Sequence, residues 1–446
     1  MLATSLHQTA WIALKRHSEA LRYSSRLRHG KGLMHLAQAR LASDLSKQLH
    51  HLCTAVSLLQ EGPVKTQAMA QVRATLDGPQ ATIWRKQQIG WERYASMIKG
   101  SSQVSRTVMV KAPTANGERG VLITYFEYNF QRLLAGIIPF QEFTDRYSVI
   151  YSTSWSPTNY HLLASLVAET SGPVWMQACN YNEVPALEAL HPRVRCLPTL
   201  PCDWLGPDYY PVKPAAERDI DLLVVSNWAP FKRHWALFNA LRDLPPEWKV
   251  VCVGQPETGH TLADIQRLQQ RLGAPQKIEY HERLAIDQVT ALQVRSKVGA
   301  VFSRHEGCCV AATETLMAGA ALALIEGARV GPLAYINKST GVALRESHLA
   351  EDLRRAVAEA HQMKPRAFAE SRLSCHESAR RLNDLLKREA LAEGRPWTQD
   401  IETPVWRPYP RLLHEASPVK LQAAAAELSG RYPHVFAPDF LNTSHR

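Results

Sequence analysis

The spacing of apolar residues divides the chain into a helical part and a longer part in which strands and helices alternate. Apolar positions recur at helical spacing over residues 6–27 and again over residues 41–59. A third, weaker helical pattern covers residues 66–98 with an interruption near residues 77–79, and the glycines of residues 29–32 are predicted to separate the first two helices. The first hundred residues are therefore predicted to be all-helical.

Beyond Gly117 the pattern changes to short β-branched and aromatic runs, which are typical of buried strands. Such runs occupy residues 120–126, 147–151, 173–178 and 194–200, and residues 160–169 between them have helical periodicity. This alternation predicts a parallel sheet covered on both faces. The Pro-rich stretch at residues 205–214 is the best candidate for a linker that ends this part of the chain.

A second α/β run follows the linker. Its predicted strands are residues 221–226, 249–254, 277–281, 300–303 and 321–325, and its predicted helices are residues 234–244, 261–272, 286–293 and 311–318. This order is the doubly wound pattern, but no G-x-G-x-x-G follows any of the strands, which disfavours a dehydrogenase. The predicted fold class is α/β, with two Rossmann-like domains facing a cleft and an N-terminal all-helical extension. The predicted segments are 1–105, 106–214, 215–375 and 376–446.

Charge is concentrated at the N-terminal end. Residues 1–100 hold 14 Lys and Arg against 5 Asp and Glu, which is +9 of the total net charge of +11. Lys15, Arg22 and Arg26 form a basic stripe beside an apolar one, so we expect peripheral contact with an anionic membrane. The plainer alternative is that the apolar stripe packs on the first α/β part. Few aromatic residues interleave with these cations, which disfavours nucleic acid as a partner.

The remaining composition narrows the class of protein. The eight cysteines form no CxxC pair, so disulfides and structural zinc are not expected. The sequence shows no membrane-spanning apolar run and no secretory signal pattern, so we expect a cytoplasmic protein with peripheral contact at the inner membrane face.

The segment around residues 301–319 carries the most informative chemistry. A predicted strand ends near Ser303, and a predicted helix begins near Cys308 or Cys309. The backbone N–H groups from Cys308 through Val310 would form an anion site suited to a diphosphate. Glu306 and Glu314 would flank that site and accept hydrogen bonds from the hydroxyl groups of a sugar and a ribose. Two solvated glutamates around a helix start are the plainer alternative.

A second constellation follows the first strand of the second α/β run. The sequence Asn227-Trp228-Ala229-Pro230-Phe231-Lys232-Arg233-His234 opens a predicted helix and places two cations at its start. Cations are disfavoured at the positive end of a helix, which favours a functional role over surface charge. Lys232 and Arg233 could neutralise a leaving diphosphate.

Residues 219–345 resemble the donor-binding half of GT-B glycosyltransferases of the GT4 type, whose E-x7-E motif is matched by Glu306 and Glu314. Residues 314–322 are similar to that family's E-A-x-A-x-G-x-P-V segment. The resemblance implies that Glu306 contacts the hydroxyl groups of the donor sugar, Glu314 the ribose, and Lys232 the diphosphate. In the family an arginine usually stands five positions before the lysine, where this chain has Asn227, so Arg233 is predicted to supply the missing cation. The family's E-G-F-G-L loop is here Glu306-Gly307-Cys308-Cys309-Val310.

The implied reaction is transfer of a sugar, with retention of anomeric configuration, from a nucleotide-diphosphate sugar to a carbohydrate, lipid-linked or protein acceptor. No metal and no cofactor other than the donor substrate are expected. Glu127, Trp155 and His161 are acceptor-side candidates near predicted strand ends of the first α/β part. The alternatives are a nucleotide-sugar epimerase and an inactive GT-B binding protein with a basic helical docking region, because a fold by itself does not fix a function.

Overall fold

The computed structural model describes residues 2–81, 106–407, 410–438, 440 and 441, with side chains from residue 8 onward. The chain contacts divide the protein into two compact units. The first unit comprises residues 17–201, 379–405 and 409–446, and the second comprises residues 1–16, 202–378 and 406–408. The terminal segments that the sequence sets apart, 1–105 and 376–446, thus contribute described residues to both units.

Four helices precede the first sheet in the described residues. They are α1 (Leu2–Arg22), α2 (Ser25–Leu41), α3 (Leu45–Leu58) and α4 (Pro63–Asp77). The helical prediction is confirmed up to residue 81, and the rest of the third predicted helix lies outside the described residues. The predicted break at residues 29–32 is wrong, because α2 runs through it. Gly32 is buried, and a Cβ there would lie 2.9 Å from the Leu59 side chain, so the glycine permits close packing instead of ending a helix.

The helices α3 and α4 form an outer layer of the first unit. Leu49, Leu52, Cys53 and Val56 are fully or almost fully buried on one face of α3. This face packs on the helix Tyr160–Glu169, which covers the first sheet, and α4 packs on that helix and on the helix Val184–Leu190. The apolar face of α3 therefore packs on the first α/β part.

The first sheet has five strands in the order β1-β2-β3-β4-β5. They are β1 (Thr107–Lys111), β2 (Gly120–Tyr125), β3 (Tyr147–Ser152), β4 (Val174–Gln177) and β5 (Val194–Cys196). The strand β1, which the sequence analysis missed, pairs antiparallel with β2, and the other pairs are parallel. Every residue of β2 is buried, as the prediction of a sheet covered on both faces requires.

The helices that connect these strands are short. They are α5 (Glu127–Gly136), α6 (Phe140–Arg146), α7 (Tyr160–Glu169) and α8 (Val184–Leu190). Since each parallel strand lies next to the one before it, right-handed crossovers place these helices on one face of the sheet. The C-terminal part of the chain returns to this unit with α15 (Cys375–Ala392), the strand pair β12 (Pro404–Val405) and β13 (Arg411–Leu412), and α16 (Ser417–Arg431), which contacts β1.

The second sheet has six parallel strands in the order β11-β10-β9-β6-β7-β8. They are β6 (Ile220–Val225), β7 (Val250–Gly254), β8 (Glu279–Glu282), β9 (Ser296–Val301), β10 (Ala321–Ile325) and β11 (Gly341–Leu344). The chain adds strands on one side of β6 and then crosses to its other side at β9, which confirms the doubly wound pattern.

The helices of the second unit lie between these strands and after them. They are α9 (His234–Leu241), α10 (Leu262–Leu272), α11 (Ile286–Arg295), α12 (Val310–Met317), α13 (Leu349–Glu359) and α14 (Pro365–Leu373). A continuous apolar core joins central strand residues such as Leu222 and Val298 to Phe238 and Leu353 on the helices. Ile12 of α1 belongs to this core, so the start of α1 packs on the second unit.

The predicted fold class is confirmed: the protein is α/β, with two Rossmann-like parts built on parallel strands and a helical N-terminal region. None of the helices in the described ranges combines the length and the apolar content of a membrane span.

Candidate donor-binding site

The candidate site lies at the point in the second sheet where the chain stops adding strands on one side of β6 and begins to add them on the other. The strands β6 and β9 are adjacent and parallel, and the chain builds outward from them on opposite sides. In open parallel sheets a crevice forms beyond the carboxyl ends of the two strands at such a switch point, because their connections leave in opposite directions. The loop of residues 226–233 follows β6, and the loop of residues 302–309 follows β9.

These two loops meet through an ion pair. The Lys232 ammonium lies 2.6 Å from Oε1 of Glu306, and both side chains are largely shielded from water, with exposures of 14% and 6%. The Ser303 hydroxyl donates to the same carboxylate oxygen at 2.5 Å. The structure therefore brings together the two residues on which the sequence-based site depends, although 74 positions separate them in the chain.

Arg233, the residue after Lys232, is directed into the protein. It adopts the left-handed conformation with φ of 57°, and its side chain is 1% exposed. Its guanidinium donates to the carbonyl of Phe302 at 2.9 Å and contacts Glu346 at 2.9 Å and 3.0 Å. Burial raises the pKa of Glu346, but Arg233 and Arg304 together hold it below its ordinary value. The predicted cationic role of Arg233 toward a diphosphate stays a prediction, and its charge is already paired with the half-buried Glu346.

Asn227 and His234, which lie in the chain before and after Lys232 and Arg233, also have fixed roles in this loop. The Asn227 side-chain oxygen accepts from the backbone N–H of Ala229 at 3.3 Å, which shapes its own turn. His234 is fully enclosed, and burial, assisted by Lys232, lowers its pKa to about 3. His234 is therefore neutral at physiological pH, which leaves Lys232 as the half-buried cation of this loop.

The helix α12 begins at Val310, beside Glu306, as the sequence predicts within one or two residues. Its first N–H groups have no partner within the helix, so they point outward at its positive end. Gly307 is buried, whereas Cys308, Cys309 and Val310 are half-buried. The helix can approach β9 closely because Gly299 has no side chain, and a Cβ there would lie 2.6 Å from Thr315.

Cys309 precedes α12 in the left-handed conformation, with φ of 47°. This position corresponds to the second glycine of the E-G-F-G-L loop, and glycine adopts that conformation without strain. Burial first, and then the charge of Glu306, raises the pKa of the Cys309 thiol to about 12, with a smaller contribution from Glu314. The thiol is therefore protonated at neutral pH, and both glutamates lie near the start of α12.

Glu314, on the second turn of α12, is buried and has a cationic partner that the sequence analysis missed. Arg407, in the segment of residues 406–408 that belongs to this unit, donates through Nε to Oε1 of Glu314. The Gln293 amide approaches the other carboxylate oxygen at 3.4 Å. Burial lowers the pKa of Arg407, but Glu314 outweighs that effect and raises it, so the guanidinium is protonated. Its neighbour Tyr210 has a raised pKa because of burial and of Glu314.

The described residues contain no group of three or more His, Cys, Asp or Glu side chains arranged as metal ligands. The sequence does contain one Asp-x-Asp pair, Asp219 and Asp221, at the amino end of β6 and so at the opposite edge of the sheet from Lys232. Asp219 pairs with Lys249 and Arg295, and Asp221 pairs with Lys297.

The acceptor-side candidates lie in the first unit. Glu127 is buried at the start of α5 and accepts from the backbone N–H groups of Ser154 and Trp155 at 3.0 Å and 3.3 Å. It therefore shapes the loop that follows β3 and carries the half-buried Trp155. His161 packs against His50 of α3 and contacts its carbonyl at 3.0 Å, and burial lowers its pKa to about 4. Their acceptor roles stay predictions.

Residues 209–382 match the family model described as glycosyl transferases group 1. The protein is a glycosyltransferase. The matched stretch contains Lys232, Glu306 and Glu314, but Arg407 lies beyond it. No curated protein matches the chain in sequence.

Solved structures similar to this glycosyltransferase include the sucrose-phosphate synthase of Thermosynechococcus elongatus, with 14% identity, a TM-score of 0.47, and coverage of 61% of this chain and 74% of that one. The HepE protein of Anabaena in complex with UDP has 14% identity and a TM-score of 0.48, with coverage of 74% of this chain and 98% of that one. Similarity at this level does not assign a substrate.

Proposed function

We propose that this glycosyltransferase transfers a sugar from a nucleotide-diphosphate sugar to an acceptor hydroxyl with retention of anomeric configuration, as a transferase of the GT4 type. The observation that carries the proposal is the Lys232–Glu306 ion pair at the switch point between β6 and β9, beside the start of α12. Lys232 is a cation that can bind a diphosphate, and Glu306 is a carboxylate that can accept hydrogen bonds from sugar hydroxyl groups. The two groups lie side by side, as the diphosphate and the sugar do in one donor molecule.

In the proposed reaction the bond between the anomeric carbon and the diphosphate oxygen breaks, and a bond from the acceptor oxygen to the same carbon forms. The proton of the acceptor hydroxyl passes to the departing diphosphate oxygen. Negative charge then grows on the departing diphosphate. Lys232 and the N–H groups at the start of α12 would stabilise that charge from fixed positions, and such preorganised groups act most strongly where water is excluded. Since these groups are part of the protein, we propose that no metal ion is required.

Glu314 and Arg407 complete the proposed donor site. The Arg407 guanidinium satisfies the Glu314 carboxylate, which would otherwise be a buried group without a cationic partner. We propose that ribose hydroxyl groups donate to the Glu314 oxygen that faces Gln293, where the existing contact of 3.4 Å is long. In this arrangement Arg407 holds the Glu314 side chain in place.

The first experiment is a thermal-shift screen of the full chain with UDP-, GDP- and ADP-sugars. A ligand at about a hundred times its Kd stabilises the folded state by about 2.7 kcal/mol, which raises Tm measurably. We expect one nucleotide class to raise Tm in the parent and to lose that effect in Lys232→Ala. If no nucleotide sugar shifted the parent, or if Lys232→Ala responded equally, the proposed donor site would be wrong.

The second experiment follows the sugar of the donor that binds. Transfer requires an acceptor, whereas epimerisation would proceed with donor alone, so the product is analysed by NMR with and without simple sugar acceptors. The anomeric configuration of the new bond tests retention, and unchanged activity in EDTA supports metal independence. An inverted product or loss of activity in EDTA would contradict the corresponding part of the proposal.

A further inference from the structure

The outer surface of α2 is built differently from an ordinary solvated helix. Leu27, Met34 and Leu41 are spaced seven residues apart and therefore lie on one line along the helix. Their exposed fractions are 51%, 52% and 85%. Buried Gly32 and Ala39 each lie five positions from one of these residues, which is about 140° around the helix. The line of three side chains, here called the α2 ridge, thus points away from the core.

Cations flank the α2 ridge on both sides. Arg26 and Arg40 lie on one flank and Lys31 on the other, and all three are exposed. The 17 residues of α2 include no Asp or Glu, so the charge on this helix is uncompensated within it. Arg28 faces inward instead and donates to the carbonyl of Ser57 at 3.1 Å. An exposed apolar line between two cationic flanks, on a helix without acidic residues, is the pattern of a helix that lies in a membrane interface.

We propose that α2 docks this glycosyltransferase on an anionic phospholipid surface, with the α2 ridge inserted among the lipid chains and the flanking cations at the phosphate groups. The ridge extends about 21 Å from Leu27 to Leu41, which suits a helix lying parallel to the surface. Long cationic side chains at its flanks can reach the headgroups while the apolar side chains are buried. The α1 stripe considered from the sequence is less suitable, because Trp11 and Ile12 pack on the core of the second unit.

The charge of α2 selects this occupant over the alternatives. A second copy of the chain would bring two cationic surfaces together, which is unfavourable without intervening acidic groups. A neutral surface would leave Arg26, Lys31 and Arg40 without partners. On anionic lipid each cation that reaches the surface contributes about fivefold to partitioning, and this contribution decreases with salt.

The test is co-sedimentation of the full chain with phosphatidylcholine vesicles that contain or lack phosphatidylglycerol. We expect binding to the anionic vesicles, release by added NaCl, and little binding to pure phosphatidylcholine. The variant L27Q/M34Q/L41Q should bind at least about tenfold more weakly, because its apolar insertion is lost. R26Q/K31Q/R40Q should lose binding to a similar extent while keeping the apolar ridge.

The matched control is I138Q/V212Q/V419Q, which replaces three other exposed apolar side chains with exposures of 80%, 76% and 78%. It should bind like the parent. Equal binding of the parent to both vesicle types, no binding to either, or unchanged binding of both α2 variants would overturn the proposal. Concentration-dependent dimerisation that L27Q/M34Q/L41Q abolishes would assign the ridge to self-association and would also overturn it. Circular dichroism confirms that each variant remains folded.

Docking of α2 on lipid rests on the proposed function in one respect: a lipid-linked acceptor for the sugar would lie at such a surface. Vesicle binding involves no sugar chemistry, and nucleotide binding by thermal shift requires no lipid. The α2 variants should therefore keep the parent's Tm shift with the donor nucleotide. Loss of vesicle binding with an intact nucleotide response, and the reverse result, separate failure of docking from failure of the proposed function.

Discussion

The two parallel sheets of this glycosyltransferase use similar elements but differ in the order of their strands. In the first sheet each parallel strand follows its neighbour, so the chain proceeds in one direction from β2 to β5. In the second sheet the chain leaves β6 on one side and returns on the other at β9. Only the second order creates a switch point between parallel strands, and the candidate donor site lies there. Connectivity, and not strand composition, thus distinguishes the two sheets.

Each sheet has a buried glutamate shortly after one of its strands, and the two glutamates differ in the groups that hydrogen-bond to them. Glu127 in the first unit is satisfied by backbone N–H groups and the hydroxyl of Ser154, which belong to a neighbouring loop. Glu306 in the second unit is satisfied by the Lys232 ammonium and by the Ser303 hydroxyl. A carboxylate held by backbone groups fixes a loop, whereas one held by a lysine can exchange that partner for a ligand.

The largest expected effect is on stability and concerns Glu346, whose carboxylate is paired with both Arg233 and Arg304. Arg233 is buried and Glu346 is half-buried, so Arg233→Ala would leave the Glu346 carboxylate with Arg304 alone and the Phe302 carbonyl without its donor. The free energy of unfolding should fall by about 3 kcal/mol, the low end of the cost of breaking a buried ion pair. Urea denaturation measures it, and Arg304→Ala, which removes the more exposed partner, should cost less. Asn227→Arg in the Arg233→Ala background should leave stability low and restore rate only if the lost cation also served the donor. If Arg233→Ala were as stable as the parent, the Arg233–Glu346 ion pair would not contribute to stability as predicted.

Glu306→Gln and Lys232→Ala should each reduce kcat by about 10²- to 10³-fold, because both residues act on the donor in the proposed reaction. Initial-rate measurements test this once the donor is identified, with melting temperatures to confirm folding. The matched control is Glu279→Gln, an exposed glutamate of β8, which should stay within about twofold of the parent. If both site variants kept rates near that of the parent, the switch point of the second sheet would not be the donor site, and the functional difference between the two sheets would be lost.

Glu127→Gln should lower stability by about 1–3 kcal/mol, because a side-chain N–H group would then face backbone donors in a buried site. Thermal or urea unfolding measures this cost. If Glu127 only fixes its loop, Glu127→Asn should be no less destabilising, and the donor-induced Tm shift should persist in both variants. A variant with parent stability and a raised KM for acceptor would instead support the acceptor-side role.

Glu314→Ala should raise KM for the donor about tenfold while kcat changes less, because a ribose contact is similar in the ground state and the transition state. Arg407→Gln should act in the same direction, since Glu314 then loses its charged partner. Steady-state kinetics separate the two parameters. A collapse of kcat with unchanged KM in Glu314→Ala would contradict the ribose role.

The smallest expected effect is a gain. Cys309→Gly should raise stability by up to about 1 kcal/mol, because glycine removes the strain of a side chain at φ of 47°. Phe126 occupies a comparable position after β2 with φ of 70°, but its ring stacks on Tyr128, so Phe126→Gly should not be stabilising. The difference in Tm between these two variants tests whether strain or packing governs each loop.

The sequence indicated most strands and helices because their apolar periodicity is local. The runs around residues 120–126, 221–226 and 321–325 correspond to buried strands, and the α7 pattern at residues 160–169 matches its helix. Local patterns failed where packing overrode them. The glycines of residues 29–32 resemble a helix break, but Gly32 lies inside α2, where its missing side chain admits Leu59. The strand β1 was missed because a five-residue run that ends in lysine gives a weak signal.

By itself the sequence determined the α/β class, the basic character of the N-terminal region and the donor-site candidates Lys232, Glu306 and Glu314, because each follows from composition or from residues close together in the chain. Only the tertiary structure decided that Lys232 reaches Glu306, that Arg233 faces Glu346 and that Arg407 holds Glu314. These pairings join residues separated by 74, 113 and 93 positions. The order of strands in the sheet sets such distances, and no local pattern records that order.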